Sequence, residues 1–163
     1  MNTTSSATID DRAQRLDKPR TVLVVEDDCS VLELFTIILE HHGYNVLSAG
    51  SAPEALAIAN GWRGEPIDLL ITDLCMPCKN GDDLAIELRA LLPGLKVIYI
   101  SGYSADDSFA MSLDLHNAIY VPKPISPHAV QEAISALFGA EPTKAVIELL
   151  VEGWNHGRAA VAA

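Results

Sequence analysis

The sequence predicts an α/β domain built on a parallel sheet with helices on both faces, and three observations carry that reading. Five short runs rich in Val, Ile and Leu recur between residues 20 and 139. They are continuously apolar, as strands covered on both faces are. Patterns of helical period with recognisable capping residues stand between them, joined by loops of a few residues, which is the grammar of strand, crossover helix and parallel strand.

Composition permits such a core. Of 163 residues, 49% are hydrophobic and 20% charged, the balance of one globular domain with room for tails. Acidic side chains outnumber basic ones 22 to 11. Within residues 20 to 139 the figures are 16 and 6, so most of the net negative charge lies in the folded part. Such a surface repels phosphate backbones and anionic lipid, which argues against nucleic-acid or membrane-surface binding. The three cysteines are an odd number, the N-terminus lacks the features of a secretory leader, and the longest apolar stretches are broken by Glu33 or Glu148. A cytoplasmic protein with reduced thiols is expected.

Residues 1 to 19 are polar with few apolar anchors and read as a flexible arm. Thr21-Val22-Leu23-Val24-Val25 is the first strand, followed at once by Glu26, Asp27 and Asp28. Ser30 and Glu33 have the spacing of a capping box, and Val31, Leu34, Phe35, Ile38 and Leu39 recur at helical spacing up to Gly43. His41 and His42 fall in the last turn, where a carbonyl-bonding ring is favoured. A second strand covers residues 44 to 49. Ser51, Pro53 and Glu54 then start a helix that ends at Asn60-Gly61.

The third strand, residues 67 to 72, delivers Asp73 into the loop Leu74-Cys75-Met76-Pro77-Cys78-Lys79-Asn80-Gly81. A helix with Leu84, Leu88 and Leu91 stops before Pro93. Residues 96 to 101 form the fourth strand, residues 104 to 115 a weaker helix, and residues 118 to 121 the fifth strand, cut off by Pro122-Lys123-Pro124. Ser126-Pro127 opens a last helix with Val130, Ile134, Leu137 and Phe138 inward and Gly139 at its end. Residues 140 to 163 are an extension, read as one amphipathic helix plus a tail.

In an open parallel sheet, ligands bind outside the carboxyl ends of the strands where strand order reverses. The polar residues at those ends are Glu26 and Asp27, Asp73, Ser101 and Lys123. Three carboxylates converging in one crevice repel one another unless a cation sits among them, and oxygen ligands suit a hard ion such as Mg²⁺. A lysine and a hydroxyl beside it suit an anion, with phosphoryl the obvious one.

Taken in order, Val22 to Asp28, Asp73-x-x-Met76-Pro77-x-x-x-Gly81, Ser101-Gly102 and Tyr120-Val121-Pro122-Lys123-Pro124 resemble the receiver domain of two-component response regulators over residues 20 to 139. The resemblance implies a flavodoxin-like five-stranded parallel sheet of order 2-1-3-4-5. It also implies a role for each matching residue. Asp73 is the phosphoacceptor. Asp27, Asp73 and the backbone carbonyl of Cys75 hold Mg²⁺, with Glu26 acting through water. Lys123 binds the phosphoryl oxygens, and Ser101 and Tyr120 form the switch. Glu26 departs from the commoner Asp, and Cys75 and Tyr103 occupy positions that tune access of hydrolytic water.

The implied partners are a histidine kinase or histidine phosphotransfer protein and a downstream protein, with a homodimer through the strand 5 side as one option. The expected protein is a signalling receiver rather than an enzyme acting on other substrates. The alternatives are a pseudo-receiver that binds without phosphorylation and a receiver cut from a hybrid histidine kinase. Cys75-Met76-Pro77-Cys78 also raises a redox reading, weakened by the carboxylates around it. An Asp-nucleophile phosphatase needs a second Asp where Cys75 stands.

Overall fold

The computed structural model describes residues 18 to 102 and 117 to 139. The helix expected over 104 to 115, the extension over 140 to 163, Tyr103 and nearly all of the N-terminal arm lie outside the described residues. Five strands, β1 (Thr21–Val25), β2 (Asn45–Ala49), β3 (Ile67–Asp73), β4 (Lys96–Ser101) and β5 (Ala118–Pro122), form one sheet of order β2-β1-β3-β4-β5. Every adjacent pair is parallel. The described helices are α1 (Cys29–His41), α2 (Ala52–Gly61), α3 (Gly81–Leu91) and α4 (Pro127–Phe138).

Alternation along each strand divides the core in two. Leu23, Val25, Leu70, Val97 and Tyr99 face one way and pack with Ala52 and Ala55 of α2 and Leu84 and Leu88 of α3. Val22, Val24, Leu69, Ile71, Ile98 and Ile100 face the other way and pack with Phe35 and Leu39 of α1 and Val130 and Ile134 of α4. Large side chains such as Leu23, Leu70, Leu84 and Leu88 are fully enclosed, and burying each stabilises the fold by roughly 1.5–3 kcal/mol before entropy is counted. Because β1 and β3 are buried on both faces, their polar residues can gather only at the strand ends.

One local expectation needs correction. The cap of α1 is Asp28, whose carboxylate accepts from the N–H groups of Ser30 and Val31 at 2.8 and 3.2 Å, and Ser30 already lies inside the helix. An Asp at the N-cap satisfies two orphan donors at once, so the helix starts earlier than the Ser30 and Glu33 spacing suggests. Leu34 and Leu91 follow the helical period yet are exposed, at 57% and 48%. The stripe on α1 that is buried centres on Phe35 and Leu39. Elsewhere, Ser51 and Ser126 cap α2 and α4 with a proline in the first turn of each, and His42 meets the Ile38 carbonyl through Nδ1 at 2.7 Å. Among the described residues no helix is long and apolar enough to cross a membrane.

Candidate functional site

The order of the sheet places β1 beside β3, with β2 and β4 on their outer sides, so the connections leave in opposite directions from this central pair. That is the switch point where a crevice opens at the carboxyl edge. Val25 pairs with Thr72, and Asp73 with Ile100. The next residues after β1 are therefore level with the end of β3, which brings Glu26 and Asp27 to Asp73.

Carboxylate oxygens of Glu26, Asp27 and Asp73 all lie within 4.8 Å of one another. Glu26 and Asp73 are buried, at 2% and 7% exposed, whereas Asp27 faces solvent. Lys123 bridges the buried pair, with its ammonium 2.6 Å from Asp73 Oδ2 and 3.3 Å from Glu26 Oε2. Asp73 Oδ1 accepts the Cys75 N–H at 2.9 Å, and Glu26 Oε1 the Asp28 N–H at 3.3 Å. Both buried acids are thus held by a backbone donor on one oxygen and by Lys123 on the other, leaving Asp27 as the outward-facing member of the cluster.

The electrostatics follow from this packing. Burial pushes the Glu26 carboxyl above its usual range, and the negative charge of Asp73 adds to that, while the Asp28 N–H and Lys123 oppose it. Burial alone would lower Lys123, but its hydrogen bond to Asp73 and the charges of Glu26 and Asp73 outweigh that cost and hold it above an ordinary lysine. A site in which one carboxyl is reluctant to ionise beside two others has an appetite for positive charge. Three oxygen donors of this kind fit a hard divalent ion.

Lys123 is delivered by its backbone, since its N–H donates to the Ser101 carbonyl at 2.7 Å just past β5. Ser101 is buried at the end of β4. Tyr120 is half-buried in β5 with its hydroxyl directed to the same region: burial pushes it up, a hydrogen bond from Ser101 opposes the rise, and the nearby Cys75 thiol and Asp73 carboxylate reinforce it. The structure therefore brings together Glu26, Asp27, Asp73, Ser101, Tyr120 and Lys123, and Cys75 enters through its backbone.

Three contributors were not foreseen as such. Gly81 seats the start of α3 against the end of β3: a β-carbon there would collide with the Asp73 carbonyl oxygen and lie 3.0 Å from Thr72 Cγ2 and Oγ1. Thr72 is fully buried and donates its hydroxyl to the Asp73 carbonyl at 3.0 Å. Lys79 pairs with Glu87, tying the loop to α3. Glycine four residues beyond Met-Pro was a readable signal, but the close approach behind it was not.

A family model described as the response regulator receiver domain matches residues 22–135. The sensor kinase CckA of Brucella abortus is 38% identical over 117 residues, covering 71% of this chain and 12% of the kinase. The probable transcriptional regulatory protein TcrX of Mycobacterium tuberculosis is 32% identical over 120 residues, covering 74% of this chain and 50% of that protein. The chain thus spans between an eighth and a half of the length of these two relatives. Among solved structures, the receiver domain of hybrid histidine kinase CckA superposes with a TM-score of 0.61 and 33% identity, covering 72% of this chain and 97% of that one. The response regulator TrrA of Thermotoga maritima, in complex with Mg²⁺ and BeF, gives 0.61 and 28%, covering 73% and 99%.

Proposed function

This chain belongs to the response regulator receiver domain family, and from that premise we propose that it accepts a phosphoryl group on Asp73 in a Mg²⁺-dependent reaction and signals by changing a protein-binding surface. The observation that carries the proposal is the arrangement around Asp73: a buried carboxylate within 4.8 Å of those of Glu26 and Asp27 and 2.6 Å from the Lys123 ammonium.

One carboxylate oxygen of Asp73 attacks the phosphorus of a phosphohistidine or a small phosphodonor. The new O–P bond forms as the P–N or P–O bond to the donor breaks, and the leaving group keeps the bonding pair. Asp27, Asp73 and the Cys75 backbone carbonyl would hold the metal ion, with Glu26 behind it through water. Bound there, Mg²⁺ neutralises charge on the phosphoryl oxygens. Lys123 already lies against Asp73 and can transfer its contact to a phosphoryl oxygen without crossing the site. The N–H of Cys75 holds Asp73 Oδ1 and so orients the nucleophile.

Readout falls to Ser101 and Tyr120. A phosphoryl group presents three acceptor oxygens, and the buried Ser101 hydroxyl is the short donor at the neighbouring strand end. A Ser101 hydroxyl drawn to phosphate changes its hydrogen bond with Tyr120, which couples the site to β5 and its outer surface. The donor is a cytoplasmic histidine kinase or histidine phosphotransfer protein, and the output is a protein partner. Similarity to the receiver of a hybrid kinase favours a second form of the same reading, in which the domain works within a phosphorelay.

Incubating the chain with acetyl phosphate and Mg²⁺ and measuring intact mass tests the assignment. One phosphoryl adduct is expected on the wild type and none on Asp73→Asn. An adduct retained by the variant would sink it.

A further inference from the structure

Free cysteine is ordinarily among the most buried residue types. In this chain all three cysteines, Cys29, Cys75 and Cys78, are exposed. All three also lie on the segments that carry the acidic cluster: Cys29 is the first residue of α1, just after Asp28, and the other two follow Asp73. Core packing does not account for that exposure.

Cys75 and Cys78 share a loop closed at its ends, where the Leu74 N–H donates to the Ile100 carbonyl at 2.8 Å and the Gly81 N–H to the Leu74 carbonyl at 3.0 Å. Within it the Lys79 N–H reaches the Pro77 carbonyl at 2.9 Å, a three-residue turn centred on Cys78 with φ 71°. A non-glycine residue seldom adopts that conformation, and it persists here because the surroundings impose it. The loop therefore has a shape it does not prefer locally, and Cys75 at its start holds Asp73 Oδ1 through its N–H.

We propose that Cys75 and Cys78 are a redox modification site: a peroxide oxidises them to a reversible intraloop disulfide that lowers the capacity of Asp73 to take phosphate. The functional half rests on the phosphoacceptor reading above. In the chemistry, one thiolate attacks a peroxide oxygen and breaks the O–O bond, giving a sulfenic acid and water. The second thiol then attacks that sulfur, forming the S–S bond and releasing a second water; two electrons leave the thiols and two oxygens are reduced. A disulfide needs its Cα atoms about 4.4–6.8 Å apart, a span that residues three apart reach when the chain between them bends. Bending of that kind reaches Cys75, whose N–H is one of the groups orienting Asp73.

The full chain is reduced, freed of reductant, exposed to hydrogen peroxide, alkylated and mapped by mass spectrometry. Loss of two of the three thiols is expected, with Cys29 still alkylated. Acetyl phosphate with Mg²⁺ should then label Asp73 about tenfold more slowly, with recovery after dithiothreitol and no slowing in Cys78→Ser. Three alkylated thiols after peroxide, a bridge that includes Cys29, or a Cys75–Cys78 bridge that leaves labelling unchanged would each overturn the proposal. A reduced wild type that takes no phosphate refutes the acceptor reading, and the gate falls with it. The thiol map still reports whether the bridge forms.

Discussion

The two ends of the sheet handle polar groups in opposite ways. At the amino end, the Thr21 N–H donates to Asp68 Oδ2 at 3.0 Å and the Asn45 amide to Thr21 Oγ1 at 3.2 Å. Arg20 and Lys96 lie over the Phe138 ring at 4.0 and 5.2 Å. Polar groups there are used up by one another and by an aromatic face. At the carboxyl end, three carboxylates gather in one crevice with a single lysine ammonium on two of them, and the third, Asp27, faces solvent. Saturation at one end makes a seam, and surplus negative charge at the other makes a site. Substitutions matched across the two ends test this contrast.

Glycines give the largest expected difference. Gly81 has no room for a β-carbon against the Asp73 carbonyl, whereas Gly94, before β4, has nothing within 4 Å of that position and only a φ of +90° to satisfy. Gly81→Ala should cost about 3 kcal/mol by forcing α3 away from β3, with loss of phosphorylation. Gly94→Ala should cost about 1–2 kcal/mol for the left-handed conformation and keep phosphorylation. Urea unfolding followed by acetyl phosphate labelling separates them, and equal costs would break the contrast.

Lysines come next. Removing Lys123 leaves two buried carboxylates without their cation, so Lys123→Met should lose about 2 kcal/mol near neutral pH and slow phosphorylation about a hundredfold. Lys96 sits over an aromatic ring beside Arg20, and burial and that like charge hold its pKa below an ordinary lysine. Lys96→Met should therefore stay within about 0.5 kcal/mol of wild type and be labelled normally. Paired denaturation curves decide this.

The carboxyl side of the contrast is legible in the sequence. Burial on both faces leaves Val22 to Val25 and Leu69 to Ile71 nowhere to put a polar side chain except beyond their ends, so the convergence of Glu26, Asp27 and Asp73 follows from strand boundaries and parallel pairing. The cap of α1 was misread because Asp28, Ser30 and Glu33 all carry capping chemistry, and only backbone geometry selects Asp28. The tight seat of Gly81 and the Thr72 hydroxyl on the Asp73 carbonyl depend on distances between segments, which no spacing encodes. Exposure of Leu34 and Leu91 has the same cause: a helical period fixes which residues share a stripe, and docking on the sheet fixes how much of the stripe is covered.

Glu26 provides the smallest and most specific test. Its carboxyl is raised above the usual 4.5, chiefly by burial, so the folded state holds its proton more tightly than the unfolded state does. The stability it contributes is full below 4.5 and is lost as pH climbs through its folded value. Glu26→Gln keeps the shape and removes the titration. Without Mg²⁺, its stability relative to wild type should therefore rise over that window and stay level on either side, as read from urea midpoints across pH. With Mg²⁺ present the cation supplies the charge that the buried carboxylate lacks. The wild type should then recover the difference and the variant gain less, because one oxygen of the metal-facing set has become an amide. A gap between the two proteins that ignores both pH and Mg²⁺ would mean that the carboxyl end is as self-satisfied as the amino end, and the distinction between seam and site would fail.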